Sequence, residues 1–155
     1  DLQSTIVSNN FFGTHYAKAS LRHLQPDQIE VLQPQPAPVV TVHYPADNVT
    51  RDSLFDKAYL EQVDQYAYFL GGNHGLVQIH TAADNGRSLL VVKDSYAHAF
   101  IPFLTAHYEY IHVLDLRYFS LSPSQYAAEQ GCDEALFLFS MTQFSSSANL
   151  HKLSR

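Results

Sequence analysis

The chain has 155 residues, of which 46% are hydrophobic, and a net charge of −6 at pH 7. The apolar content argues against intrinsic disorder, and nine Lys and Arg residues without a basic cluster argue against a nucleic-acid partner. The sequence contains a single cysteine, Cys132, which excludes an internal disulfide, and it has no apolar run of membrane-spanning length. The length predicts one domain, residues 1–155, and sets no oligomeric state.

Residues 1–52 are predicted to be an irregular lead-in with edge strands. A short helix is expected around residues 15–19. Elsewhere in this part, β-branched runs closed by proline favour strands, whereas proline-rich or polar runs favour linkers and loops. The predicted segments are strands at 26–32 and 39–44, a proline-rich linker at 34–38 and a polar loop at 46–52.

Residues 53–155 are predicted to form an α/β core that begins with about two helical turns ending before Tyr66. The dipeptide Asn85-Gly86 predicts a tight turn, and strands on both sides of it suggest an antiparallel hairpin. Farther along, strands and helices alternate, which predicts a mostly parallel sheet with helices on both faces. The predicted strands are 76–81, 89–94, 111–116 and 135–139, and the predicted helices are 97–107, 122–130 and 143–150.

The most informative stretch is the corner at Asp94-Ser95, where an apolar strand ends and a helix is predicted to begin. Such a corner lifts a serine hydroxyl clear of the sheet edge, and the free N–H groups of the next turn can receive an oxyanion. The same two residues also suit an ordinary helix N-cap, which only satisfies unpaired amides. The sequence pattern alone leaves both interpretations open.

Candidate partners for Ser95 come from two places in the sequence. The glycine-rich loop contains Gly72 and Asn73, which either donate hydrogen bonds to an oxyanion or form a simple turn. His74 lies in that loop, and His98 follows Ser95 by one helical turn. Each histidine is a candidate base or a partly buried polar residue.

Asp115 and Arg117 fall at the end of the next predicted strand, at the same sheet edge as Ser95. Arg117 is a candidate anchor for an anionic or carbohydrate ligand. Alternatively, it forms an ion pair with Asp94 or Asp115 that fixes the loops. The histidines share no metal-ligand spacing, so the sequence predicts no metal site and no cofactor.

Several motifs occur in order along the chain. They are Phe12-Gly13-Thr14 with Tyr16 and Lys18, Tyr-Phe-Leu-Gly-Gly-Asn-His at 68–74, Leu-Leu-Val-Val-Lys-Asp-Ser-Tyr-Ala at 89–97, Phe-Ile-Pro-Phe-Leu at 100–104, and Val-Leu-Asp-Leu-Arg-Tyr-Phe at 113–119. Together they resemble the DHHW family of Gram-positive bacteria, and the resemblance spans almost the whole chain. This family is similar to SGNH-type hydrolases and to alginate O-acetyltransferase-like proteins. The resemblance implies an SGNH-like or flavodoxin-like α/β fold and an exported or cell-surface protein.

The resemblance implies that Ser95 is the nucleophile on an O-acyl ester, with Gly72 and Asn73 as oxyanion donors. The Asp-His-His-Trp motif that names the family is missing from this chain, which has no tryptophan. The acid and base are then expected upstream of Asp1, together with a signal or anchor. Loss of the base lowers turnover by about 10⁴- to 10⁶-fold, so this chain alone is expected to be weakly active or inactive.

The resulting hypothesis is that the chain is the C-terminal fragment of an acyl esterase or O-acyltransferase that acts on cell-surface carbohydrate. Its expected partner is a carbohydrate or acylated glycan, and no nucleic acid is expected. The alternative is a non-catalytic cell-surface domain that binds carbohydrate or a protein partner, in which Asp94 and Ser95 form a helix cap.

Overall fold

The computed structural model describes residues 2–13 and 23–154. The chain is organised in two compact units, one of Asp1–Ala37 and Phe55–Gly72 and the other of Pro38–Leu54 and Asn73–Arg155. The helix expected around residues 15–19 lies outside the described residues, as do Thr14, Tyr16 and Lys18. Compact units within a chain can unfold together, so the single-domain organisation and the division after residue 52 stay predictions.

The smaller unit contains an antiparallel pair of strands, β1 (Leu2–Phe11) and β2 (Asp27–Pro34). Within the predicted lead-in, β1 is a ten-residue strand that the sequence patterns did not mark, because its residues are mostly exposed and show no clear alternation. The two helical turns predicted after Ser53 are instead 3₁₀ turns, η1 (Lys57–Glu61) and η2 (Gln65–Tyr68). Ring contacts hold this part of the unit together, and they join Phe55, Tyr66, Tyr68 and Phe69.

The larger unit is built on a six-stranded mixed sheet in the order β4-β3-β5-β7-β6-β8. Only the β7-β6-β8 part is parallel, and the β4-β3-β5-β7 part is antiparallel. The strands are β3 (Val40–Tyr44), β4 (Val49–Arg51), β5 (Leu76–Thr81), β6 (Ser88–Lys93), β7 (Tyr110–Asp115) and β8 (Glu134–Leu138).

The predicted fold class, a mostly parallel α/β sheet with helices on both faces, was therefore wrong. The described chain is mostly β-sheet with a few short helices. The helix predicted at 97–107 is split, because Pro102 cannot donate a backbone hydrogen bond and instead starts a new short helix. The helices are α1 (Ile101–Leu104), α2 (Pro123–Gln130) and α3 (Met141–Ser146), with 3₁₀ turns η3 (Ser95–Ala99) and η4 (Leu150–Ser154).

The hairpin predicted across Asn85-Gly86 was also wrong. Gly86 does adopt the positive φ of a turn, +68°, but β7 lies between β5 and β6 in the sheet. The residues of the turn determine that the chain bends at Gly86. Which strands pair in the sheet depends instead on which of them bury each other's apolar faces. The predicted loop at 46–52 likewise contains β4, whose three residues are exposed at the sheet edge.

The core of the larger unit lies on the parallel strands. All six residues of β6 are buried, and Leu90 and Val92 pack in a cluster with side chains from β7, α2 and the C-terminal turn. At the carboxyl end, Lys93 is in register with Asp115 on β7. Neighbouring residues in register point to the same face, so these two side chains meet. Among the residues that the structure describes, no helix is long and apolar enough to cross a membrane.

Gly75 gives a test of this packing, because a Cβ at that position would lie 2.7 Å from the backbone oxygen of Tyr118. We expect Gly75→Ala to lower the free energy of unfolding by about 1–3 kcal/mol, measured by urea denaturation. Gly13→Ala is the control, since a Cβ there meets no described atom within 4 Å. Equal stability of the two variants would contradict the close approach of the two loops.

Candidate active site

Ser95 lies at the predicted corner, directly beyond the carboxyl end of β6. It is the first residue of η3, and Asp94 before it is extended, with φ −101° and ψ −175°. Ser95 is partly exposed. Neither its hydroxyl nor its backbone N–H makes a hydrogen bond to another residue within 2–13 and 23–154. The corner therefore presents both a hydroxyl and an N–H that are available to a ligand.

Asp94 connects this corner to the end of β8, which lies beside β6 in the sheet. One carboxylate oxygen accepts the N–H of Tyr96 at 3.0 Å, and the other accepts the N–H of Ser140 at 2.8 Å. The Asp94 N–H donates to the Leu138 carbonyl at 3.2 Å. Both carboxylate oxygens are engaged, so Asp94 acts as a cap and clamp rather than as a proton acceptor for Ser95.

A buried polar cluster consists of Lys93 and His98, which flank Ser95 in the chain, and Asp115, each at most 2% exposed. The Lys93 Nζ lies 2.7 Å from His98 Nε2 and 3.3 Å from Asp115 Oδ2. Burial and the nearby Lys93 charge lower the pKa of His98 to about 3. His98 is therefore neutral and accepts a hydrogen bond from the Lys93 ammonium, which leaves it unsuited to take the proton of Ser95.

The carboxylate of Asp115 is the centre of this cluster. Burial raises its pKa, but the hydrogen bonds of Arg117 and the charge of Lys93 outweigh that effect and hold the pKa below its usual range. Burial also lowers the pKa of Lys93. Sequence reasoning did not single out Lys93, although a lysine inside a run of buried apolar residues is the signal that could have found it.

Arg117 joins this cluster to the loop before β5. Its Nε and Nη2 donate to the two Asp115 oxygens at 2.9 and 2.6 Å, and Nη2 also donates to Asn73 Oδ1 at 3.1 Å. The ion-pair alternative for Arg117 is thus realised with Asp115. Because a guanidinium can only donate, the Asn73 oxygen must face it. The Asn73 Nδ2 is then turned away, and no described residue accepts a hydrogen bond from it.

The two remaining candidates, His74 and Gly72, have other contacts. His74 Nδ1 is 3.4 Å from Asp47 Oδ2, and its ring packs on Tyr44. Gly72 belongs to the smaller unit, has a φ of +96°, and donates its N–H to the Phe69 carbonyl at 3.4 Å. The roles of both residues stay predictions. No group of three His, Cys, Asp or Glu that could hold a metal occurs in the described ranges.

The neutral His98 makes the stability of the chain depend on pH. Unfolded His98 takes a proton near pH 6.5, whereas folded His98 stays neutral down to about 3. The unfolded state binds more protons in this window, so stability is expected to fall as the pH falls, by up to about 1.4 kcal/mol per unit. The free energy of unfolding of His98→Gln, measured with urea, should vary less with pH between 6.5 and about 5, where Asp115 stays ionised in both states. Equal slopes in the two proteins would contradict this.

Solved structures of two proteins share the fold of this chain. A DHHW family protein from Eubacterium siraeum is 26% identical with a TM-score of 0.79, over 100% of this chain and 52% of that one. Bacillus cereus PatB1 with a sulfonyl adduct is 19% identical with a TM-score of 0.71, over 92% and 48%. A second PatB1 structure has 19% identity and a TM-score of 0.64, over 92% and 49%. The chain thus spans about half the length of these proteins.

None of the curated proteins matches this chain. The family model of the DHHW protein matches residues 5–114, which is more than two thirds of the chain. The matched range contains Asn73 and the Asp94-Ser95 corner, so the resemblance inferred from the motifs is confirmed. The chain belongs to the DHHW family.

Proposed function

We propose that this chain is the C-terminal part of an SGNH-like acyl esterase or O-acyltransferase that acts on cell-surface carbohydrate, with Ser95 as the nucleophile. The observation that carries the proposal is the available hydroxyl of Ser95 at the carboxyl edge of the sheet. Asn73 supports it, since the contact with Arg117 turns its amide Nδ2 outward as a donor.

In the proposed reaction, Ser95 Oγ attacks the acyl carbonyl carbon and its proton passes to a base. The carbonyl oxygen becomes an oxyanion that accepts hydrogen bonds from the Ser95 N–H and the Asn73 Nδ2. Collapse of this intermediate breaks the bond to the sugar oxygen, which leaves as an alcohol after taking a proton. Water or a second sugar hydroxyl then removes the acyl group from Ser95.

The reaction also requires a base that accepts the proton of Ser95. Asp94 and His98 are both engaged in holding the corner. We propose that the Asp and His implied by the family resemblance, upstream of Asp1, provide it. His74, paired with Asp47, is the alternative source in the larger unit, because a carboxylate on one ring nitrogen orients the other for proton transfer.

Aromatic side chains near the site support a carbohydrate substrate. Tyr96 follows Ser95 and is 72% exposed, and Tyr118 follows Arg117 and is 58% exposed. The Arg117 guanidinium lies 5.3 Å from the centre of the Tyr118 ring, which places this aromatic ring beside the cluster. An exposed aromatic face suits the apolar surface of a sugar ring.

The sulfonyl adduct of PatB1 indicates a suitable chemical probe. A sulfonyl halide reacts when a nucleophilic side chain attacks sulfur and expels the halide, so it reports an activated hydroxyl. The likeness to PatB1 is one of fold, and the proposal for this chain rests on its own Ser95. An extracellular or cell-surface location is part of the proposal.

The decisive variant is Ser95→Ala in the longer protein that this proposal requires, with the residues encoded upstream of Asp1. We expect hydrolysis of p-nitrophenyl acetate to fall by at least about 10³-fold, because the hydroxyl that forms the acyl-enzyme is gone. Mass spectrometry should find one phenylmethylsulfonyl group on Ser95 in the unchanged protein. Ser124→Ala, on the exposed first turn of α2, is the matched control and should keep full activity.

Equal rates of p-nitrophenyl acetate hydrolysis by Ser95→Ala and the unchanged protein would contradict the hydrolase proposal. The non-catalytic alternative would then be favoured, with Asp94 and Ser95 serving as the cap of η3. If activity and labelling persist when residues 1–155 are used alone, the base belongs to this chain, and His74→Gln should abolish both.

A further inference from the structure

We propose that Asp115 is a positioning residue that holds the Ser95 turn and the Asn73 amide in a fixed relation to each other. This inference rests on the proposed function, in which Ser95 is the nucleophile and Asn73 an oxyanion donor. Asp115 itself does not contact the reacting atoms. Two sets of hydrogen bonds meet on the buried carboxylate of Asp115.

The first set encloses the nucleophile. Lys93 is the last residue of β6 and His98 lies in η3, and their side chains meet at 2.7 Å. This contact closes a loop of backbone that contains Ser95. The Lys93 Nζ also lies 3.3 Å from Asp115 Oδ2, so the closed loop is tied to the end of β7.

The second set orients the oxyanion donor. Asp115 accepts three hydrogen bonds from Arg117, which come from Nε, Nη2 and the backbone N–H. These contacts fix the plane of the guanidinium, and Nη2 then donates to Asn73 Oδ1. Asn73 itself is exposed, so this bond limits the rotation of its amide. The direction of the Asn73 Nδ2 thus depends on Asp115 through Arg117.

The chemistry of the cluster requires an ionised carboxylate at its centre. Two cations, Lys93 and Arg117, converge on one anion that is 1% exposed. An amide at position 115 has a single acceptor oxygen and no charge, so it cannot serve both sets. Because small displacements of reacting groups cost about 10²-fold in rate, a shift of either set should lower turnover without removing substrate contacts.

The second set of hydrogen bonds, which orients Asn73, is tested with a double-mutant cycle of Arg117→Lys and Asn73→Ala in the longer protein. Lysine keeps the charge but cannot hold two Asp115 oxygens and Asn73 in one plane. We expect Arg117→Lys to lower kcat at least about 10-fold with KM within about 3-fold, and to add less than about 2-fold when Asn73 is already alanine. Arg87→Lys, which alters the exposed Arg87–Glu134 pair, is the matched control and should leave kcat unchanged.

The first set of hydrogen bonds, which encloses Ser95, is tested with two substitutions of His98. His98→Leu removes the acceptor for Lys93 at similar volume, whereas His98→Gln offers an amide oxygen in its place. We expect kcat to fall about 10- to 100-fold in the leucine variant and to return to within about 3-fold in the glutamine variant. Asp115→Asn should lower kcat by the combined effects of Arg117→Lys and His98→Leu. If this variant fails to fold, the Arg117 and His98 variants still test the proposal.

Three results would overturn the proposal. Additive effects in the cycle would show that Arg117 does not act through Asn73, and a rise in KM alone would make Arg117 a substrate anchor instead. Equal kcat values for the leucine and glutamine variants of His98 would show that the hydrogen bond between Lys93 and His98 does not position Ser95. Failure of the proposed function is recognised separately, because Ser95→Ala would then be as active as the unchanged protein.

Discussion

The arrangement of the candidate site depends on the ionised carboxylate of Asp115. It is buried, and it accepts hydrogen bonds from two cationic side chains that come from different parts of the larger unit. Removing one member of a buried charged cluster leaves the other charges unpaired, at a cost of about 3–5 kcal/mol. The cluster is therefore tolerated only when all its members are in place, which gives the corner around Ser95 one preferred conformation.

The order of the strands explains why these side chains meet. Lys93 and Asp115 end two adjacent parallel strands in register, so their side chains point to one face at the same edge. β5 runs antiparallel to β7, and its first residue pairs with Leu114. The loop before β5, which contains Asn73, is thereby brought to the carboxyl edge of β6 and β7. In a wholly parallel sheet this loop would lie at the opposite edge.

Sequence patterns located the strands of the larger unit better than their partners. The β-branched run of β6 and the alternating pattern of β5 identify strands, because burial of apolar side chains is encoded locally. The antiparallel hairpin predicted at Gly86 was wrong in its pairing, yet it gave β5 the correct direction relative to β6. The exposed β1 and the short β4 were missed, because neither carries a clear alternating apolar pattern.

The sequence by itself determined the family, the strand-to-turn corner at Ser95 and the polar residues at the ends of neighbouring strands. These features depend on local chemistry, such as the apolar run of β6 and the capping side chain of Asp94. The tertiary structure alone decided that Lys93 belongs to the site, that His98 is a neutral acceptor, and that Arg117 bridges Asp115 and Asn73. Those facts depend on burial and on contacts between residues distant in the chain, which no local pattern encodes.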